Sequence, residues 1–137
     1  MNRRIIRSDF GEVSIRTEGI INARVFRGAT IGLQEAQQYH SLIEYLSENR
    51  PHCTVIDISD VSTISPDARK MLQENSSSWN KTIAVALITK SFTSRVLGNF
   101  FLTVNRPSYP IQIFRSSVEA QNWAQSEYFK NVTGMAS

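Results

Sequence analysis

Two short runs, Cys53-Thr54-Val55-Ile56-Asp57-Ile58 and Ile83-Ala84-Val85-Ala86-Leu87-Ile88, constrain this chain most. Neither alternates cleanly between apolar and polar residues. Both are rich in β-branched side chains, the mark of strands covered on both faces. Such strands require helices on either side of a sheet, which makes this an α/β chain. A length of 137 residues suits one domain with one core. The expected domain is therefore 1–137, with its core at about 10–130 and frayed ends at 1–8 and 131–137.

The remaining elements follow from local pattern. Val13 and Ile15 alternate with Glu12, Ser14 and Arg16, and Ile21, Ala23 and Val25 alternate with Asn22 and Arg24. That period of two predicts a hairpin, and Gly19 supplies the positive φ its turn needs. Leu33, Ala36, Tyr39, His40, Ile43 and Leu46 recur at helical spacing, predicting a helix over about 32–49 that Asn49-Arg50-Pro51 stops. Ser65 caps the next helix and Pro66 takes its first position, with Ala68, Met71 and Leu72 facing inward. Ser91 caps a helix reaching about residue 105, in which Gly98 permits close packing. Ile111–Phe114 reads as a short strand. Ser116-x-x-Glu119 is a capping box for a last helix with Ala120, Trp123, Ala124 and Tyr128 on its inner stripe. The predicted order is β-β-α-β-α-β-α-β-α. It gives a mixed five-stranded sheet, with an antiparallel hairpin first and right-handed parallel crossovers after it, flanked by about four helices.

Composition excludes several classes. Hydrophobic residues make up 41% and charged residues 20%, which is ordinary for a folded domain. The start of the chain carries charge without an apolar stretch behind it, so it does not read as a secretory signal. No apolar run is long enough to span a membrane. The single cysteine, Cys53, fits a reducing cytoplasm and is expected to be a small buried hydrophobe. The net charge of +3 leans on Arg3, Arg4, Arg7, Arg16, Arg24 and Arg27. These lack the interleaved aromatics that stack bases, so nucleic acid is not expected as a partner.

Familiar chemistry is not encoded. A phospho-receiver needs clustered acids for a divalent metal, and although Asp57 ends the middle strand, no acidic pair ends the first. A nucleophilic hydrolase needs a base beside its nucleophile. The two histidines, His40 and His52, are placed on a helix face and at the far end of a strand. No Walker A loop, Gly-x-Gly-x-x-Gly or Gly-x-Ser-x-Gly motif is present. One cysteine and two distant histidines do not make a zinc site. The expectation is a protein that is not an enzyme, with no catalytic residues, metal or cofactor.

The element order and the loop Asp57-Ile58-Ser59-Asp60-Val61-x-x-Ile64-Ser65-Pro66-Asp67-Ala68 resemble the STAS domain. That is the fold of bacterial anti-sigma-factor antagonists and of sulfate-transporter cytoplasmic tails. The family pattern is Asp-Leu-Ser-x-Val-x-x-Met/Ile-Asp-Ser-Ser-Gly, and Asp57, Ser59, Val61 and Ile64 match it. The likeness is nearest to the SpoIIAA-like, or STAS/Sec14-like, branch of bacterial proteins. There it extends to Leu97-Gly98-Asn99-Phe100-Phe101-Leu102-x-x-Asn105-Arg106-Pro107 and Ile113-Phe114-Arg115-Ser116-x-x-Glu119-Ala120-x-x-Trp123, covering roughly residues 10–125. In the antagonists the second serine of Asp-Ser-Ser-Gly accepts phosphate from a partner kinase. Here Asp67 occupies that place, Pro66 that of the first serine and Ser65 that of the acid. The resemblance thus implies a regulatory module without the phosphoacceptor.

Two expectations result. The first is a protein partner, docked on a loop presenting Asp57, Ser59, Asp60, Ser62, Thr63, Ser65 and Asp67, because functional residues gather on loops at the C-terminal edge of such sheets. The second is a lipid, another apolar ligand or a membrane surface, bound by the helix 91–105. Phe92, Val96 and Phe100 form one of its apolar rows, and Leu97, Phe101 and Val104 another. A homodimer formed through a sheet edge or this helix is also expected.

Overall fold

The computed structural model describes residues 4–74, 81–91, 94–96 and 109–134. Its strands are β1 (Arg4–Arg7), β2 (Gly11–Thr17), β3 (Ile20–Val25), β4 (Thr30–Ile31), β5 (His52–Asp57), β6 (Thr63–Ile64), β7 (Thr82–Ile88) and β8 (Ile111–Phe114). The helices are α1 (Leu33–Ser47), α2 (Pro66–Glu74) and α3 (Ser117–Gly134), with a helical turn at 94–96. Six strands form one sheet in the order β1-β2-β3-β5-β7-β8. β1, β2 and β3 pair antiparallel, and β3, β5, β7 and β8 pair parallel. The mixed α/β architecture is the one the sequence predicts.

The sheet has six strands among the described residues, not five, because Arg4–Arg7, expected to be frayed, pairs with β2. Ile6 packs against the core formed around Val13, and the guanidinium of Arg4 lies 5.0 Å from the ring centroid of Tyr45. Arg7 pairs with Glu12 at 3.4 Å, in register with it across the strands. The far end is ordered further than expected too. The Thr133 hydroxyl donates to the Phe129 carbonyl at 2.8 Å, and α3 continues to Gly134.

Local signals explain the element ends. At the start of α1 the Glu35 carboxylate accepts the Gly32 amide at 2.8 Å, satisfying one amide that the helix itself cannot. Glu48 and Asn49 take positive φ and end α1 two residues before the expected limit. Leu33, expected on the inner face, is 42% exposed, whereas Ala36, His40, Ile43 and Leu46 are buried. Gly19 turns the hairpin at φ +79°, and the Tyr128 ring occupies the space a Cβ there would need.

Two cores lie on opposite faces of the sheet. Val13, Ile21, Ala23 and Val25 pack under α1 and α2 with Ile43, Leu46 and Ala68. Ile20, Cys53, Val55, Ala84, Ala86 and Ile88 pack under α3 against Ala120 and Ala124, with Trp123 and Tyr128 at the margin. Cys53 is fully buried, and burial pushes its thiol up to about 12, so it is an inert packing residue there.

Candidate functional site

β5 delivers the chain to the C-terminal edge of the parallel strands, and the segment to α2 is held there from two sides. The Asp57 carboxylate accepts the Ser59 amide at 2.9 Å, which closes a turn directly after the strand. The Ser59 hydroxyl accepts the Lys90 amide at 3.0 Å, and the Ser59 carbonyl accepts the Ser91 hydroxyl at 3.0 Å. Those contacts tie the loop to the segment leaving β7. On the other side, the Gly28 amide donates to the Asp60 carbonyl, the Ser62 amide to the Ala29 carbonyl and the Ser65 amide to the Ile31 carbonyl, all within 2.8–2.9 Å. These bonds include a small parallel pairing of β4 with β6, in which Thr30 faces Thr63.

The expected site residues therefore separate into two groups. Asp57, Ser59 and Ser65 are half-buried and hold the backbone. The Ser65 hydroxyl accepts the Ala68 amide at 3.1 Å, so it caps α2, with Pro66 at the first helical position. Asp60, Ser62, Thr63 and Asp67 have exposed side chains and hold no such post. Asp67 stands in the first turn of α2, where the helix dipole favours a carboxylate. Ile58, Val61 and Ile64 point inward and are buried, anchoring the loop from below.

Pattern reading alone leaves out two neighbours. Lys90 and Thr30 are exposed beside the loop, brought there by the Ser59 contact and by the β4–β6 pairing. The signal for Lys90 is its place just past the C-terminal end of β7. For Thr30 no local signal exists.

Most of the segment expected as a phenylalanine-rich helix lies outside the described residues, including Phe92, Leu97, Phe100, Phe101 and Val104. Its beginning is described. The Ser91 hydroxyl accepts the Ser94 amide at 3.1 Å, the Ser94 hydroxyl accepts the Ser91 amide at 3.2 Å, and Val96 is 51% exposed. The hairpin arginines are elsewhere. Glu12 meets both Arg7 and Arg24, at 3.4 and 3.3 Å, and partly offsets their charge. His40 lies 3.0 Å from Glu44 on α1, and His52 is buried at the opposite end of β5 from the loop. Among the described residues, no three acids, histidines or cysteines gather as a metal site would require, and no helix is long and apolar enough to cross a membrane.

Similar proteins place this geometry in a fold. A Shewanella loihica protein of the DUF3478 family, with a SpoIIAA-like fold, superposes at a TM-score of 0.57 and 16% identity, covering 90% of this chain and 92% of its own. The anti-sigma factor antagonist SpoIIAA in its unphosphorylated form superposes at 0.58 and 12% identity, covering 84% and 97%. An anti-sigma factor antagonist from Mycobacterium paratuberculosis does so at 0.50 and 12%, covering 90% and 93%. At these identities the likeness establishes the fold. No curated protein matches the sequence. Residues 13–127 match the model of a domain of unknown function, DUF7793, so the chain belongs to that family and carries it on a SpoIIAA-like, STAS-type fold.

Proposed function

We propose that this chain is a non-catalytic regulatory module that captures a protein partner on the loop between β5 and α2. The contact is made by Asp60, Ser62, Thr63 and Asp67, with Thr30 and Lys90 at the margin. One observation carries this reading: four exposed polar side chains stand on a backbone pinned by hydrogen bonds on both sides. A pinned loop loses little conformational freedom on binding, which favours recognition by a rigid surface. The likeness in fold to two anti-sigma factor antagonists supports a regulatory role of the same general kind. The mechanism differs from a phosphorylation switch at the aligned position. Asp67 has no hydroxyl for a serine kinase to modify and presents a constant negative charge.

Asp67→Lys reverses that charge at an exposed site, so the fold is expected to survive with an unchanged far-UV circular dichroism spectrum. Cross-linked capture from the host lysate is expected to lose its specific partner. Equal capture by the folded variant and the native protein removes Asp67 from the docking site.

A further inference from the structure

The sheet ends in β1, whose outer edge has no strand beside it among the described residues. The Ser8 amide donates to the Gly11 carbonyl at 2.8 Å, so these two residues form a hydrogen-bonded pair at the turn into β2. Antiparallel strands alternate such pairs with open ones. The β1–β2 register is unbroken, so Ile6 with Val13 and Arg4 with Ile15 are the next bonded pairs. Ile5 and Arg7, opposite Ser14 and Glu12, fall between them. Their amides and carbonyls therefore point outward and offer a ladder to another strand.

Edges of this kind are commonly protected by charge. Here the charges are drawn back onto their own chain. Arg7 pairs with Glu12 at 3.4 Å, and the Arg4 guanidinium lies over the Tyr45 ring. Ile5 and Ile6 stand between them. Ile5 is 49% exposed and shares the α3 face of the sheet with Arg7. On the other face Tyr45 is 61% exposed beside Arg4, so apolar surface reaches the edge from both sides.

We propose that β1 pairs antiparallel with β1 of a second copy of this chain about a twofold axis, joining two six-stranded sheets end to end. The outward groups restrict the register to three choices. Ile5 opposite Ile5, or Arg7 opposite Arg7, bonds a single outward pair within the strands. The second of these also sets like charges face to face, which is unfavourable. Ile5 opposite Arg7 occurs twice over and engages every outward group of both strands. It lays each Ile5 along the aliphatic stem of an arginine and meets Ile6 with Ile6 at the axis. A second copy therefore complements the edge without any like charges opposed, and Tyr45 borders the seam. Stable complexes bury about 1,600 Å². A strand of 4 residues falls short of that, so the dimer is weak and forms as concentration rises.

Sedimentation equilibrium of the full chain over roughly 10 μM to 1 mM tests this pairing. The expected result is a monomer–dimer equilibrium, with amide exchange at Ile5 and Arg7 slowing as the dimer forms. Ile5→Glu places an acid opposite Arg7 and is expected to tighten the dimer about threefold to tenfold, whereas Ile5→Lys should weaken it by a similar factor. Ile5 is exposed, so both variants should keep the native far-UV circular dichroism spectrum. Weakening by both would set Ile5 opposite itself and overturn the register. Arg7→Pro deletes an outward amide and spares the β1–β2 bonds, as proline does on sheet edges, and should abolish the dimer. A dimer indifferent to Arg7→Pro is held by another surface and overturns the pairing, as does a chain that stays monomeric throughout the range. Amides at Ile5 and Arg7 that slow only on adding an alternating valine–glutamate peptide overturn self-pairing and give the edge to an acidic strand. Asp60, Ser62, Thr63 and Asp67 lie outside β1, so the capture experiment with Asp67→Lys decides the docking reading separately.

Discussion

The two faces of the sheet are packed by different means. Under α3 a central patch of small residues, Cys53, Ala84 and Ala86 from the strands with Ala120 and Ala124 from the helix, is fully buried, with Ile20, Val55 and Ile88 around it. Under α1 and α2 the helices contribute Ile43 and Leu46 as well as Ala36 and Ala68, and a cavity remains among the side chains. A close-packed face has no room to adjust and serves as the platform. The looser face carries the loop whose outer side offers exposed polar groups. Functional segments are commonly drawn from the less tightly packed part of a fold.

The sharpest way to break this comparison is to make the same substitution on both faces. Ala84→Leu, on the α3 side, is expected to cost about 3 kcal/mol in denaturant unfolding, since there is no space for the added carbons. Ala36→Leu, on the cavity side, should stay within about 1 kcal/mol of the native protein. Equal losses at the two sites would mean the faces are packed alike.

Gly19→Ala probes the edge of the tight side. It forces a Cβ into the left-handed region and into the Tyr128 ring. A loss of about 2 kcal/mol is expected, combining backbone strain with the displaced ring. The double variant Gly19→Ala with Tyr128→Ala should recover the steric share, and no recovery would show that backbone conformation alone sets the cost.

The smallest expected effect concerns pH. Burial holds the His52 imidazole below its ordinary pKa, and the Arg50 carbonyl at 2.9 Å from Nδ1 opposes this in part. The unfolded chain takes up this proton near pH 6.5, roughly the free-imidazole value, while the folded chain still resists it. The unfolded state thus binds more protons between the depressed folded value and about 6.5, so stability falls on acidification through that window. His52→Gln is expected to flatten the dependence of melting temperature on pH there. An unchanged slope would assign acid sensitivity to other groups.

Much of the fold is legible in the chain because its causes are local. The apolar runs of β5 and β7, the turn at Gly19, the Ser65 cap and the Ser116 cap all depend on near neighbours. The Glu119 amide donates to the Ser116 hydroxyl at 3.2 Å, as the spacing predicts. β1 is less legible, since Arg-Ile-Ile-Arg has no alternation and becomes a strand only by pairing with β2. β4 and β6 are two residues each and exist only together.

The candidate site divides along the same line. Sequence pattern places a hydroxyl-rich loop after a buried strand and before a helix capped by Ser65, and it does not rank the other polar residues. The Asp57 turn and the Ser65 cap are local, and contacts between distant segments separate the rest. Ser59 is occupied by Lys90 and Ser91, about thirty residues away in sequence, and the amides of Ser62 and Ser65 by the segment around β4. The cavity under α1 and α2 belongs wholly to the second kind. Residues of β3, α1, β5 and the loop after β5 line it, and a void depends on how side chains from separate elements fail to fill a shared volume. Periodicity and capping act over a few residues, so the chain states them directly. Exposure, satisfaction of hydroxyls and empty space arise from non-local packing, and they take form only when the sheet and helices close on one another.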